Sequence, residues 1–284
     1  MTIRDLTEEI LTTQTLKDIA QSYTEISSIR LRKIRKQTEG SRRFFQDLSN
    51  IFALLRYFAK IKSARGGPKN QTSGNGKTVV ILITSNFRFY GKVSNDASKL
   101  FMKYTQDHPS QQIVIGKLGI DFLKSQHYSL SYSALTFKTD MPSHTEMMEL
   151  VKLIQNYGRV LVVSSEFKTI LNQKATIKDL TQTQKEASAT DQLKRKDYTF
   201  ILEPEIHKMI EFFDSQIKNV LLSATFLETE LARVASRLIT MDQAQTNAKD
   251  ILKKQSQQLI FAKRALFNKK TLETWAALRS QHGR

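Results

Sequence analysis

Residues 227–266 read LETELARVASRLITMDQAQTNAKDILKKQSQQLIFAKRAL. Apolar residues recur here in alternating steps of four and three, and Gln245 and Gln255 fill two further positions of the pattern. The apolar members are Leu227, Leu231, Val234, Leu238, Met241, Ala248, Leu252, Leu259, Ala262 and Leu266. A seam of this kind is typical of a coiled coil, whereas a helix lying on a globular core has a wider apolar face. The stretch therefore predicts a long helix that pairs with another helix.

Proline and glycine, the residues least compatible with a helix interior, are concentrated in the middle of the chain. All four prolines lie between residues 68 and 204, residues 1–65 hold the single glycine Gly40, and residues 205–282 hold neither type. We therefore expect a long helix at each end and a conventional domain between them. The expected bounds are 1–63 for the N-terminal helix, 64–204 for the central domain and 205–284 for the C-terminal helix.

The N-terminal segment carries an apolar stripe that suits a partner helix. Its members are Leu6, Ile10, Leu16, Ile19, Tyr23 and Ile26, followed after a basic interval by Phe45, Leu48, Phe52 and Leu55. Because coiled helices need a partner, we expect an intramolecular antiparallel coiled coil that brings Leu16 close to Leu259. A separate helical bundle at each end of the chain is the alternative.

The middle of the chain alternates between strand and helix patterns. Apolar runs predict strands at 78–84, 112–116, 134–137, 160–163 and 198–202, and helical patterns cover 94–104 and 143–156. The second helix begins with a capping box formed by Ser143 and Glu146. Residues 64–77 and 181–196 have the composition of exposed loops. The predicted fold class is α/β, a Rossmann-like domain combined with a long antiparallel coiled coil.

The formal net charge of +17 predicts a negatively charged partner. The densest basic groups are Arg30, Arg32, Lys33, Arg35, Lys36, Arg42 and Arg43, and then Lys253, Lys254, Lys263, Arg264, Lys269 and Lys270. Nucleic acid is the commonest partner of this kind, but aromatic residues are not interleaved with these groups as they are in many single-strand binders, so acidic protein loops remain open as partners. A basic coiled coil that binds nucleic acid and a merely solvated basic face are the alternatives. The chain has no cysteine and no apolar run long enough to cross a bilayer, so we expect an intracellular protein without disulfides.

No catalytic constellation is visible in the sequence. Residues 74–78 resemble the end of a P-loop, but Gln71 occupies the place of its first glycine and the loop precedes a strand instead of following one. The five histidines show no metal-ligand spacing. The sequence therefore predicts no enzymatic activity, no metal and no cofactor.

One C-terminal segment points to a known family. Leu227-Glu228 and the run from Arg237 to Ala248 are similar to the leucine-glutamate segment and the Arg-Met-Val-Ala-Met…Ala-Thr-Asp-Asn-Ala run of the gamma subunit of F-type ATP synthases. Weaker similarities follow in the same order at 13–16, 83–85 with Gly91, 116–119 and 202–204. The chain thus resembles this family over nearly its whole length.

Two departures from the family pattern concern its loops and its last helix. After Ser85 the family usually has Asp-Arg-Gly-Leu-Cys-Gly, whereas this chain has Asn-Phe-Arg-Phe-Tyr-Gly at 86–91. The Ser-Glu pair that the family has before Arg237 is replaced by Ala232 and Arg233. Contacts that the family makes through these positions therefore do not carry over.

The resemblance implies a rotor shaft with no chemistry of its own. In the family, the paired terminal helices stand inside a hexamer of alpha and beta subunits, and the beta subunits make or hydrolyse ATP. The Rossmann-like foot binds the epsilon subunit and the membrane c-ring, at the cytoplasmic face of the membrane, and no nucleic acid is involved. A gamma-like shaft of a specialised ATPase motor is a further alternative. The expected partner-binding residues are Leu16, Arg32, Arg35, Lys36, Glu228, Arg237, Lys263 and Arg264.

Overall fold

The computed structural model describes residues 2–64, 76–181 and 206–281. Its helices are α1 (Ile3–Ala64), α2 (Val93–Asp107), α3 (Lys117–Ser125), α4 (His144–Gln155) and α5 (Ile206–Gln281). Its strands are β1 (Thr78–Ile83), β2 (Gln111–Ile115), β3 (Ser133–Leu135), β4 (Arg159–Phe167) and β5 (Gln173–Asp179). The two long terminal helices are confirmed. The predicted strand at 198–202 and most of the two predicted loops lie outside the described residues.

The contacts divide the chain into two compact units. Unit 1 consists of Met1–Ser28 and Leu238–Arg284, and unit 2 of Ile29–Arg237.

Unit 2 is built around a five-stranded sheet with the order β3-β2-β1-β4-β5. Strand β1 pairs in parallel with β2 and β4, β2 pairs in parallel with β3, and β5 is antiparallel to β4. From Val79 to Ile83 the central β1 is buried on both faces, which explains its unbroken apolar run VVILI. The mostly parallel α/β fold is therefore confirmed.

Helices cover both faces of this sheet. On one face, Ile81 of β1 belongs to a core with Leu150 of α4 and Phe226 of α5. On the other face, Leu82 belongs to a core with Phe101 of α2 and Leu123 of α3. The predicted capping box at the start of α4 is present: Ser143 and Glu146 each bind the other's backbone N–H.

Unit 1 is an antiparallel pair formed by the first part of α1 and the last part of α5. The side-chain amide of Gln245 donates to Gln21 at 3.2 Å, and that of Gln255 donates to Glu9 at 3.4 Å. The numbers rise along one helix as they fall along the other, so the predicted antiparallel pairing is confirmed. In this register Leu16 lies across from about residue 250, so the expected neighbour Leu259 was wrong by more than two helical turns.

The predicted N-terminal stripe is right in part: Leu6 is buried, and Ile10, Tyr23, Phe45 and Leu48 are half-buried. Leu16, Ile19 and Ile26 are exposed in the structure. Among the buried and half-buried side chains, one series follows steps of four and three and consists of Leu6, Ile10, Thr13, Lys17, Ala20, Thr24 and Ser27. Small and hydroxyl-bearing residues occupy this seam, so apolar character alone did not identify it. In unit 2 the same rhythm continues with Leu31, Ile34 and Thr38, while the side chains of Phe52 and Leu55 are outside the described part.

The C-terminal seam is confirmed over most of its length. Leu231 and Val234 are buried in unit 2, and Met241 and Ala248 are buried in unit 1. Leu266, the last predicted member, is exposed and was predicted wrongly. The reason is the register: α1 begins at Ile3, so the residues of α5 beyond about 262 extend past the end of their partner.

Candidate functional site

A group of charged side chains is buried in unit 2 beside the carboxyl end of β1. Arg233 of α5 is 1% exposed, and its Nη1 donates to the backbone oxygen of Thr84 at 2.9 Å. Its Nη2 donates to the backbone oxygen of Asp140 at 3.3 Å. Nε and Nη2 also donate to one carboxylate oxygen of Glu230, at 3.1 and 2.8 Å. One guanidinium therefore joins α5 to two segments that follow strands of the sheet.

The same carboxylate connects α5 to α1. The second carboxylate oxygen of Glu230 lies 2.7 Å from Nη2 of Arg30. The Glu230 side chain is only 1% exposed. A buried carboxylate needs such pairing, because an isolated charge in the interior is very costly. Arg30 and Arg233 together supply the pairing.

Tyr90 completes the cluster from the loop after β1. Its hydroxyl donates to Oδ2 of Asp140 at 2.9 Å, and the guanidinium of Arg237 lies 3.9 Å from the centre of its ring. Burial raises the pKa of Tyr90, and the negative charges of Glu230 and Asp140 raise it further. Tyr90 therefore stays protonated and remains a hydrogen-bond donor.

Asp140 is the acceptor at the centre of this loop region. In addition to Tyr90, Ser85 Oγ donates to it at 2.8 Å and the backbone N–H of Asn86 at 2.7 Å. Three donors on one carboxylate fix the segment after β3 against the segment after β1. We call the set Arg30, Tyr90, Asp140, Glu230, Arg233 and Arg237 the arginine cluster.

A second ionic contact lies on the neighbouring turn of α5. Glu228 accepts from Arg42 of α1 at 2.7 Å and from Lys178 of β5. Burial opposes the charge of Glu228, but the hydrogen bonds from Lys178 and Arg42 outweigh it and lower the pKa of the carboxyl group. This contact joins α1 and α5 to the edge strand of the sheet.

The predicted partner-binding residues fall into two classes. Glu228 and Arg237 make the contacts within unit 2 described above, and a role toward a partner stays a prediction for them. The other six are exposed: Leu16, Lys263 and Arg264 in unit 1, and Arg32, Arg35 and Lys36 in unit 2. Among these, Arg35 pairs with Glu39 one turn along α1 at 3.3 Å.

Unit 1 exposes many large apolar side chains. On α1 these are Leu11, Leu16, Ile19 and Ile26, and on α5 they are Ile251, Ile260, Phe261, Leu266, Phe267, Leu272, Trp275 and Leu278. Trp275 is 69% and Phe267 70% exposed. Exposed apolar side chains are typical of interaction sites where they form one continuous patch.

Sequence reasoning did not bring the arginine cluster together, although it named Arg237 as a partner-binding residue and Arg30 as part of a basic group. Two of its members, Tyr90 and Arg233, had been noticed only as departures from the family pattern, and the structure brings both to Asp140. Glu230 and Arg233 carry opposite charges three residues apart, a spacing that could have indicated a pair on one helix face. Nothing in the sequence distinguished Asp140.

Within the ranges 2–64, 76–181 and 206–281, no group of His, Asp and Glu side chains is arranged to hold a metal ion. Among the same residues, no helix combines the length and the apolar character that a membrane span requires.

Comparison with known proteins gives one consistent result. The ATP synthase family model matches residues 2–263. The ATP synthase gamma chain of Geotalea uraniireducens is 20% identical over 95% of this chain and 96% of its own length, and that of Chlorobium phaeobacteroides is 25% identical over 89% of each.

Solved structures share the fold. A chain of the Euglena gracilis mitochondrial ATP synthase has a TM-score of 0.55 at 14% identity, covering 90% of this chain and 95% of its own. A chain of the Tetrahymena thermophila mitochondrial ATP synthase, solved as central stalk and c-ring, has a TM-score of 0.52 at 16% identity, covering 82% and 99%. Because the family model spans nearly all of the sequence, the chain belongs to the gamma-chain family of the ATP synthases.

Proposed function

We propose that this chain is the central rotor-stalk subunit of an F-type ATP synthase or ATPase, and that it transmits torque between a catalytic alpha/beta hexamer and a membrane rotor ring. Family membership and the similarity of the fold to ATP synthase chains support this proposal. The observation that carries it is the surface of unit 1. There, two helices bury a narrow seam against each other and leave large apolar side chains outside it.

The exposed apolar surface of unit 1 is costly in water. Phe261, Phe267, Leu272 and Trp275 are all more than half exposed, and burying a side chain of this kind stabilises a complex by about 1.5–3 kcal/mol. An apolar rod that must turn inside other subunits needs contacts without directional bonds, because apolar contact can slide from one position to the next. The exposed face of unit 1 suits such a bearing.

The exposed basic residues suit acidic loops of catalytic subunits. Arg32 and Lys36 are exposed on α1, and Lys263 and Arg264 on α5. Contacts between exposed charges are individually weak and weaken further as salt rises. We therefore propose that these residues, together with Leu16 and Arg35, contact the alpha and beta subunits.

The remaining assignments follow the family. Residues 1–63 and 205–284 would form the shaft and residues 64–204 the foot, which would bind the epsilon subunit and the c-ring at the cytoplasmic face of the membrane. Catalysis would take place on the beta subunits, and this chain would need no cofactor of its own.

Co-purification tests the proposal. A tagged chain expressed in its own cell should be recovered with alpha and beta chains in a complex that hydrolyses ATP. The matched variants are Trp275→Glu on the exposed face and Lys103→Glu on α2, and only the first should reduce recovery of alpha and beta chains. Recovery of the parent with nucleic acid and without alpha and beta chains would contradict the proposal and favour the nucleic-acid alternative.

A further inference from the structure

The arginine cluster holds α5 at two points that lie one helical turn apart. Arg233 is bound to the backbone of Asp140, and Arg237 lies over the ring of Tyr90, whose hydroxyl binds the side chain of the same Asp140. Residues four apart lie on the same helix face. Two attachments on one face, both leading to one loop, resist rotation of α5 about its own axis.

The contacts of Arg233 are directional and reach the backbone of the sheet region. Its acceptors at Thr84 and Asp140 are main-chain oxygens, which cannot yield by changing a side-chain rotamer. Thr84 is itself held, since its N–H donates to Ile115 O at 2.8 Å and its hydroxyl donates to the same oxygen at 2.7 Å. The rigid planar fork of arginine keeps these directions fixed.

Apart from the hydrogen bond between Glu228 and Lys178 of β5, the remaining contact between α5 and the sheet described here is apolar and lacks this property. Ile217, Leu222 and Phe226 of α5 pack in the apolar core with β1 and α4. Such packing holds a helix against a sheet, but it is non-directional and opposes a small rolling motion weakly. A buried ion pair is weak evidence for stability, because an apolar pair of similar volume is often equally stable.

We propose that Arg233, bound to Glu230, is the positioning residue through which torque passes between the long helices and the sheet domain of unit 2. This inference rests on the proposed rotor function. Glu230 extends the connection to α1 through Arg30, so both long helices share the attachment. Glu228 makes a second attachment through Lys178 of β5 and Arg42 of α1. It is weaker, because the side chains of Lys178 and Arg42 are partly exposed.

The test replaces the ion pair without leaving a buried charge. In the double variant Glu230→Met/Arg233→Met, apolar side chains fill the space of the pair, and such replacements are often neutral for stability. The control is Arg159→Met/Asp179→Met, which removes the ion pair that joins β4 and β5 and does not involve α5. Both variants are assembled with alpha and beta subunits, and the thermal midpoint and the unloaded rotation rate should match those of the parent.

The decisive measurement is the torque against a viscous load at two attachment points. The chain has no cysteine, so one introduced cysteine gives a unique attachment point. Lys103→Cys places the load on α2, and Gln37→Cys places it on α1. For the double variant we expect a loss of torque when the load is attached to α2, because methionine supplies neither of the hydrogen bonds by which Arg233 holds Thr84 and Asp140. With the load attached to α1, torque should equal that of the parent.

Two results would overturn the inference. Equal torque at both attachment points in the folded double variant would show that apolar packing alone transmits the load. If the double variant does not fold, Arg233→Lys replaces it. Lysine keeps the charge but lacks the planar fork with which arginine binds Thr84, Asp140 and Glu230 together. Full torque in Arg233→Lys would overturn the inference as well. A parent complex that does not rotate would refute the proposed function itself, whereas a rotating parent with unaffected variants would refute only the role of Arg233.

Discussion

At the scale of single residues, Glu228 predicts how stability depends on pH. Its pKa is lower in the folded chain than the ordinary value of 4.5, so its contribution is complete above that value and is lost as the pH falls through the folded pKa. Glu228→Gln should therefore lower the free energy of unfolding by about 1.5–3 kcal/mol at pH 7 and by much less at pH 3. Urea denaturation followed by circular dichroism at both pH values measures this.

The control for Glu228 is Glu149→Gln on the exposed side of α4. It should change the free energy of unfolding little at either pH. A loss in Glu228→Gln that is the same at pH 7 and pH 3 would contradict the assignment.

Two glycines predict opposite effects of the same substitution. Gly116 has φ of 100°, and a Cβ added there would lie 2.6 Å from the backbone oxygen of Thr84, so Gly116→Ala should cost about 1–3 kcal/mol or more. Gly40 lies within α1, and an added Cβ would meet nothing within 4 Å, so Gly40→Ala should stabilise the chain by about 0.5–1 kcal/mol. Thermal denaturation compares the two, and a stabilised Gly116→Ala would show that the local backbone has been described wrongly.

Individual site residues could be predicted only in part. Glu228 and Arg237 were found through the resemblance, and the exposed basic residues through their density along the chain. The burial of Arg233 could not be predicted, because its acceptors at Thr84 and Asp140 are 149 and 93 residues away along the chain. A charged residue in a helical sequence is normally exposed, and only the tertiary fold reverses that expectation.

At the scale of elements, the register of unit 1 predicts which positions can be cross-linked. Gln21 and Gln245 face each other, so Gln21→Cys/Gln245→Cys should be joined by a short bismaleimide. Leu16→Cys/Leu259→Cys is the matched control and should not be joined, because the register separates these positions along the helices. Mass spectrometry of the cross-linked peptides identifies the pairs, and efficient linkage of the control pair alone would contradict this register.

Elements were predictable where their pattern was strong. The apolar runs located β1, β2, β3 and β4, and the seam and the lack of breakers located both long helices. Strand β5 was missed because its sequence, QKATIKD, belongs to an edge strand with few apolar residues, and α3 was missed because it has only nine residues. Leu16, Ile19 and Ile26 were assigned wrongly to the N-terminal stripe because Thr13, Ala20 and Ser27, which occupy the seam, do not stand out as apolar.

At the scale of the whole molecule, the net charge of +17 predicts salt-sensitive assembly. Changing Arg32, Arg35, Lys36, Lys263 and Arg264 to Glu should leave the isolated chain folded, since exposed charges contribute about 0–1 kcal/mol each. Assembly with alpha and beta subunits should weaken. Sedimentation of the mixture at low and at high salt measures the weaker assembly of the variant and the salt sensitivity of the parent.

The control changes three exposed lysines of unit 2 on α2 and α3 to Glu. These are Lys99, Lys103 and Lys124. This variant should assemble as the parent does. Equal assembly of both variants would assign the positive charge of the long helices to a solvated surface.

The central claim is that this chain turns as the rotor of an ATP-driven complex. The most direct measurement is single-molecule rotation of the chain, labelled through Lys103→Cys, in a surface-fixed complex of alpha and beta subunits supplied with ATP. The account predicts unidirectional rotation that depends on ATP and stops when ATP is removed. ATP hydrolysis by an assembled complex in which the labelled chain stays at a fixed angle would contradict it.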